Sequence, residues 1–285
     1  MDETIPPPPP PLPNTTPRWR WVIHLLLLTA YPVTLGVVGA MNHSGSGQPM
    51  LPPNIRSLLL VLVAEAIIFS VIFAIALALS RPSARDLYLT WTSRWKPFVS
   101  GFGLSIALRV AVMVVMLLFG VVLSLTGNAN EQALRQLQPD VEEMVSARGL
   151  VNNPLYFVLT LTVVSFVFGG LREELWRAGM LAGFDHLAPP SASRRKVGTI
   201  AVLVSAVAFA FGHLPQGWGG VLMTGILGIG LGLIIVWKNS IWPAVFAHGF
   251  FDATTFALLY LMAKFPEMVP KGSQVAGSLL WQLLL

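Results

Sequence analysis

The residues that could do chemistry in this chain are ionisable side chains that interrupt long apolar stretches. Placing such a group inside a bilayer is costly, so it normally faces the interior of a helix bundle and is a candidate for function. The set comprises Glu65, Arg109, Arg172, Glu173, Glu174, Arg177, His213, His248 and Asp252.

Two adjacent acidic residues, Glu173 and Glu174, lie between Arg172 and Arg177. Residues four apart share one face of a helix, so Glu173 is predicted to pair with Arg177. A purely structural salt bridge would need only one acid and one base. The second acidic residue therefore favours a functional site.

In two further motifs, a histidine lies four residues from another side chain: His213 follows Phe209, and His248 precedes Asp252. Phe209 is predicted to support His213, and His248 is predicted to project into the bundle together with Asp252. Imidazoles and carboxylates on three helices could hold a divalent metal or position a water, with a carboxylate as general base. A lone histidine in a membrane helix is more often a structural hydrogen-bonding group, so the prediction depends on all three motifs. The His-Glu-x-x-His pattern of soluble zinc proteases is absent.

The composition excludes an ordinary soluble enzyme. Hydrophobic residues make up 54% of the 285-residue chain and charged residues only 11%, with a mean hydropathy of +0.69, whereas soluble domains carry about 25% charged residues. The absence of cysteine excludes disulfides, thiolate metal sites and a cysteine nucleophile. The basic residues lie in short loops rather than on a stripe, so no nucleic-acid partner is expected.

The apolar segments predict an all-α, polytopic transmembrane bundle of seven to eight helices, because a spanning helix needs about 20 apolar residues. The seven predicted helices are 20–41, 56–80, 97–126, 154–182, 198–213, 218–237 and 241–263. The short apolar segment 273–285 either spans as an eighth helix or lies at the membrane interface. The candidate site then lies between the fourth, fifth and seventh helices.

Glu65 and Arg109 form a separate set. Counting along the helices places Glu65 about 15 Å from the outer end of the second helix and Arg109 about 18 Å from the inner end of the third. These depths nearly coincide in a hydrocarbon core of about 30 Å. The two residues are therefore predicted to form a structural ion pair.

The charges of the loops predict an orientation, because basic residues concentrate on the cytoplasmic side. The basic residues of alternate loops are Arg18, Arg20, Arg81, Arg85, Arg94, Lys96, Arg194, Arg195, Lys196 and Lys238. By contrast, residues 127–152 are rich in acidic residues. This pattern predicts an integral membrane protein with a cytoplasmic N-terminus and residues 127–152 outside. The expected location is a bacterial plasma membrane.

The chain divides into four predicted regions. Residues 1–17 form a disordered, proline-rich tail, since six consecutive prolines favour an extended, solvated polyproline conformation. Residues 18–152 hold the first three helices and the acidic loop. Residues 153–263 hold helices four to seven with the candidate site, and residues 264–285 form an apolar C-terminal tail.

The three motifs together resemble those of a known family. Glu-Glu followed by Arg and Gly, then Phe-x-x-x-His, then His-x-x-x-Asn/Asp on successive helices, are similar to those of the CPBP intramembrane metalloproteases. These comprise the type II CAAX prenyl endopeptidases and the Abi bacteriocin-processing and self-immunity proteins. The resemblance covers residues 155–260. Two residues separate Glu174 from Arg177 here, where the family pattern has three.

The resemblance implies an endopeptidase in which Glu173 activates the hydrolytic water, with Glu174 and Arg177 supporting the site. The residues implied to bind a metal or stabilise the oxyanion are His213, His248 and Asp252. The implied cofactor is a divalent metal, with zinc the foremost candidate. The implied substrate is a membrane-associated protein or peptide. The resemblance does not indicate an oligomeric state.

Two other classes of function stay open from the sequence. A non-catalytic immunity factor or scaffold of the same fold would tolerate the change of Glu173 to glutamine. A transporter would use the acidic cluster as a cation or proton relay, and it should show inverted halves with matching broken helices. The sequence shows no such symmetry, which makes the transporter the less favoured alternative.

Overall fold

The computed structural model describes residues 16–43, 49–91, 93–127, 141–142 and 144–268. Within these residues the regular structure is helical, and the single β-type contact is an isolated bridge between Leu51 and Val145. The all-α prediction is confirmed. Most of the predicted proline-rich tail and most of the C-terminal apolar tail, including 273–285, lie outside the described residues.

Nine α-helices are named along the described chain. They are α1 (Arg18–His43), α2 (Ile55–Ser80), α3 (Lys96–Leu125), α4 (Ala147–Asn152), α5 (Pro154–Leu159), α6 (Glu173–Leu187), α7 (Arg194–Gly212), α8 (Gly217–Lys238) and α9 (Trp242–Lys264). A π-helical segment, Thr160–Arg172, joins α5 to α6, and short 3₁₀ turns occupy Leu214–Gln216 and Pro266–Met268.

Seven helical stretches of the described chain are long and apolar enough to cross a membrane. Five coincide with α1, α2, α3, α7 and α9. A sixth consists of α8 and the short turn before it, and the seventh runs continuously from α5 to α6 over Pro154–Leu187. Each matches one predicted helix, since unbroken apolar runs bounded by charges, prolines or glycines mark membrane helices well.

The helix α9 lies at the centre of the bundle, against the π-helical segment, α3 and α8. On the other side, α1 packs against α2, α6 and α7. Two hydrogen bonds fix α6 on α1: Trp176 Nε1 donates to the carbonyl oxygen of Leu28 at 2.7 Å, and His24 Nε2 donates to that of Gly179 at 2.9 Å. These contacts hold the helix that begins with the paired glutamates.

Glycines of α8 allow close packing against α7. A Cβ atom added to Gly228 would lie 3.2 Å from the Cα of Ala206, and one added to Gly232 would lie 3.1 Å from a methyl carbon of Val202. The small residues of α8 therefore pack within the chain, as small residues at membrane helix interfaces commonly do.

The sequence does not predict the π-helical segment. Its wider turn lets Ser165 Oγ donate to the carbonyl oxygen of Thr160, five residues earlier, at 2.9 Å. The segment also brings Gly170 against α9, where an added Cβ would lie 2.6 Å from the carbonyl oxygen of Val245. Such π-helical turns are often found at functional sites.

Candidate functional site

A cavity of about 190 Å³ lies between α1, α2, the π-helical segment and the helices α6 to α9. Its polar and charged lining residues are Tyr31, Glu65, Arg172, Glu173, His213, Gln216, Thr224, His248, Asp252 and Thr255. Most of the other lining side chains are apolar, among them Leu62, Phe168, Met223 and Phe256. The cavity wall therefore combines ionisable groups with apolar side chains.

Glu173, the first residue of α6, places its two carboxylate oxygens in different surroundings. Its Oε1 accepts a hydrogen bond from Arg172 Nη2 at 2.8 Å. Its Oε2 lies 3.7 Å from His248 Nε2, and the side chain is 17% exposed. One oxygen is thus held by a cation, while the other faces the histidine across a gap.

Glu174 is completely buried and contacts two partners through the same oxygen. Arg177, three residues later and equally buried, forms an ion pair with Oε1 of Glu174. His248 Nδ1 donates to that oxygen at 2.9 Å. The predicted pairing of Glu173 with Arg177 is therefore wrong, because the adjacent Arg172 reaches Glu173 and the three-residue spacing directs Arg177 to Glu174.

These contacts place a proton on Nδ1 of His248. An ionised carboxylate only accepts hydrogen bonds, so Nδ1 donates to Glu174. The other ring nitrogen, Nε2, lies 3.7 Å from Glu173 Oε2 and 3.8 Å from Asp252 Oδ2. His248 thus presents Nε2 to two carboxylates.

His213 does not lie inside a helix but in the turn that follows α7. Its Nδ1 donates to the carbonyl oxygen of Phe209 at 2.8 Å, which leaves Nε2 as the remaining polar atom of the ring. The ring of Phe209 contacts both imidazoles edge-to-face, with centroid distances of 4.5 Å to His213 and 5.8 Å to His248. Phe209 therefore packs against both histidines, and its carbonyl also orients His213.

The helix α7 begins at Arg194, four residues before the predicted start at residue 198, and ends at Gly212. Both histidines, Glu173 and Asp252 line the same cavity. The end of α7 and the break before α8 place His213 there.

Asp252 lies one helical turn after His248 on α9 and is packed against the π-helical segment. A Cβ atom added to Gly169 would overlap Asp252 Oδ2 and lie 3.4 Å from its Cγ. The absence of a side chain at position 169 is therefore what allows the carboxylate to lie beside His248.

The donor types around the cavity are those that divalent metals use, namely imidazole nitrogens and carboxylate oxygens. Each histidine also has an outer partner on Nδ1, the carboxylate of Glu174 or the carbonyl of Phe209, as metal-binding histidines usually do. Among the residues that the structure describes, however, no group of three or more such side chains is drawn together closely enough to hold an ion. Zinc binding by His213, His248 and Asp252 stays a prediction.

The predicted ion pair between Glu65 and Arg109 is wrong. Glu65 Oε2 accepts a hydrogen bond from Arg172 Nη1 at 2.6 Å. Arg109 instead donates to the carbonyl oxygen of Phe251 at 2.7 Å and to the hydroxyls of Thr254 and Thr255. Equal depth did not make the residues neighbours, because α2 packs against α1 and α3 packs against α9.

The roles of two cavity residues are not evident from the sequence. Arg172 stands out there only as a neighbour of the paired glutamates, although its guanidinium contacts both Glu65 and Glu173. Tyr31 of α1 lines the cavity, and its buried hydroxyl has no hydrogen-bond partner in the described part of the chain. No signal distinguishes this tyrosine from an ordinary interfacial aromatic residue of a membrane helix.

Residues 154–254 match the family model described as "Type II CAAX prenyl endopeptidase Rce1-like". The matched range runs from the start of α5 to residue 254 in α9, so it includes Asp252 and leaves out α1 to α4. It confirms the resemblance that the three motifs indicate. No curated protein and no solved structure matches the chain.

Proposed function

We propose that this protein is a membrane-embedded endopeptidase in which Glu173 activates the hydrolytic water. The observation that carries the proposal is the position of Glu173 Oε2, which faces His248 Nε2 at 3.7 Å on the wall of the cavity. The match of residues 154–254 to a family of membrane peptidases supports hydrolysis as the chemistry.

The proposed step begins with a water between Glu173 and the histidines. Glu173 Oε2 removes a proton from this water as the water oxygen bonds to the carbonyl carbon of the scissile peptide. This attack makes a tetrahedral oxyanion. The carboxyl group then returns the proton to the departing amine nitrogen as the C–N bond breaks. Arg172 holds Oε1 during both transfers, so that Oε2 alone exchanges the proton.

The histidines orient the reacting groups. Glu174 holds His248 through Nδ1, and the Phe209 carbonyl holds His213 through Nδ1. These hydrogen bonds fix the orientation of each ring and therefore the position of its Nε2. Asp252 Oδ2 lies 3.8 Å from His248 Nε2. When bound, a divalent metal such as zinc, held by His213, His248 and Asp252, would polarise the scissile carbonyl and the water.

The apolar part of the cavity supports a membrane-associated protein or peptide as substrate. Leu62, Phe168, Met223 and Phe256 line the same cavity as Glu173 and provide contacts for apolar side chains. Burial of apolar substrate groups would favour binding by about 25 cal/mol per Å². This lining suits a segment with apolar residues near the cleaved bond.

Cleavage of a membrane-tethered peptide library by the purified protein tests the proposal. We expect the wild type to cleave at least one peptide and Glu173→Gln to lose this activity, because the amide keeps the shape of the side chain and cannot accept the proton. Glu267→Gln, a matched change at an exposed glutamate after α9, should cleave like the wild type. Cleavage by neither protein would favour a non-catalytic scaffold, and equal cleavage by both would overturn the role of Glu173 as the base.

A further inference from the structure

We infer that Glu65 of α2 is a positioning residue for the reaction, acting through the guanidinium of Arg172 on the carboxylate of Glu173. The inference rests on the proposed function of Glu173. Glu65 lies outside residues 154–254, the range that matches the peptidase family.

Arg172 bridges two carboxylates with two different nitrogens. Nη1 contacts Glu65 Oε2 at 2.6 Å, and Nη2 contacts Glu173 Oε1 at 2.8 Å. A guanidinium is planar and its donors are fixed relative to one another, so two such contacts determine its orientation. Its Cζ atom also lies 5.3 Å from the ring centre of Phe168. The bridge is thus held on three sides.

Glu65 determines how many oxygens of Glu173 are held. Arginine and a carboxylate commonly pair through two parallel hydrogen bonds that occupy both oxygens. Here Nη1 is engaged by Glu65, so Arg172 holds Glu173 through Oε1 alone. The free oxygen, Oε2, is the atom that faces His248. Without Glu65, Nη1 becomes available to turn toward Oε2 and compete for the proton-accepting atom.

The bridge also lies where it can act during the reaction. The side chains of Glu65, Arg172 and Glu173 are 31%, 18% and 17% exposed, and all three line the cavity. They are therefore close to the proposed substrate but partly shielded from water, where charge-assisted hydrogen bonds are stronger than at an open surface. Glu65 belongs to α2, so this helix contributes to the site without supplying a reacting atom.

Kinetics of Glu65 variants test this role. We expect Glu65→Ala to lower kcat by about ten-fold or more, the effect of losing one charge-assisted contact, and to leave KM nearly unchanged. In an Arg172→Gln background, Glu65→Ala should have no further effect, since the residue through which it acts is gone. Glu267→Ala is the matched control, and thermal unfolding in detergent verifies that each variant is folded at the assay temperature.

The outcomes separate the two proposals. An unchanged kcat in Glu65→Ala, a change in KM alone, or an equal loss in the wild-type and Arg172→Gln backgrounds would overturn the role of Glu65. If Glu173→Gln abolishes cleavage while Glu65→Ala does not affect it, only this inference fails. If Glu173→Gln cleaves as well as the wild type, or neither cleaves, the proposed function fails and the role of Glu65 fails with it.

Discussion

Arg177 shows how a single buried charge is made tolerable inside the bundle. Its side chain and that of Glu174 have no exposed surface, and they neutralise each other while Glu174 also accepts from His248. Removing one member of such a pair is far more costly than removing both, because the remaining charge is left buried without a partner. The pair therefore fixes the residue that orients His248.

Arg177→Met should destabilise the protein by about 3–5 kcal/mol, since it leaves the Glu174 carboxylate uncompensated. The double variant Arg177→Met/Glu174→Gln should lose less, because a neutral amide can still accept the hydrogen bond from His248. Unfolding in detergent measures both. Strictly additive losses, with the double variant least stable, would contradict an essential charge pair.

At the scale of helices, the sequence predicts where each helix lies in the chain better than it predicts the geometry of the helix. The bounds of α2, α3, α8 and α9 lie within one residue of the predicted ones, because apolar runs and their polar ends are local signals. The π-helical course of Thr160–Arg172 has no comparable signal, since most of its residues are apolar and a change of helical period within an apolar run leaves no clear pattern. The partner of Glu65 was mispredicted for a related reason: depth along a helix does not give the direction in which a side chain points.

Gly169→Ala tests what the π-helical segment does for the site. An added methyl would overlap the carboxylate of Asp252, which must then move away from His248. We expect kcat to fall by about a hundred-fold, as a misplacement near 1 Å can produce, with little loss of stability. Gly103→Ala in α3 is the control, because nothing lies within 4 Å of its added Cβ. Wild-type activity in Gly169→Ala would show that the position of Asp252 is not critical.

Across the whole molecule, the cavity is displaced toward one end of the bundle. Met50, Leu51, Met144 and Gln216 lie in segments that connect helices at that end, and all line the cavity. At the other end the connecting segments are packed together: Ile241 N donates to the Tyr88 carbonyl, and Leu87 is buried in a cluster with Trp21 and Ala182. The basic loops of the sequence belong to this packed end. Under the charge rule for membrane proteins, we expect the packed end to be cytoplasmic and the cavity to open toward the opposite side.

Cysteine labelling tests this orientation directly, because the chain contains no cysteine of its own. Glu142 is exposed beside the cavity end, and Ala84 is exposed in the loop at the packed end. In intact cells, an impermeant maleimide should label Glu142→Cys at once and Ala84→Cys only after the membrane is permeabilised. The reverse result would place the cavity toward the cytoplasm.

The expected result implies that substrates present the cleaved segment from the non-cytoplasmic side, so a peptide tethered to the outer leaflet should be cleaved by intact cells and its inner-leaflet counterpart should not.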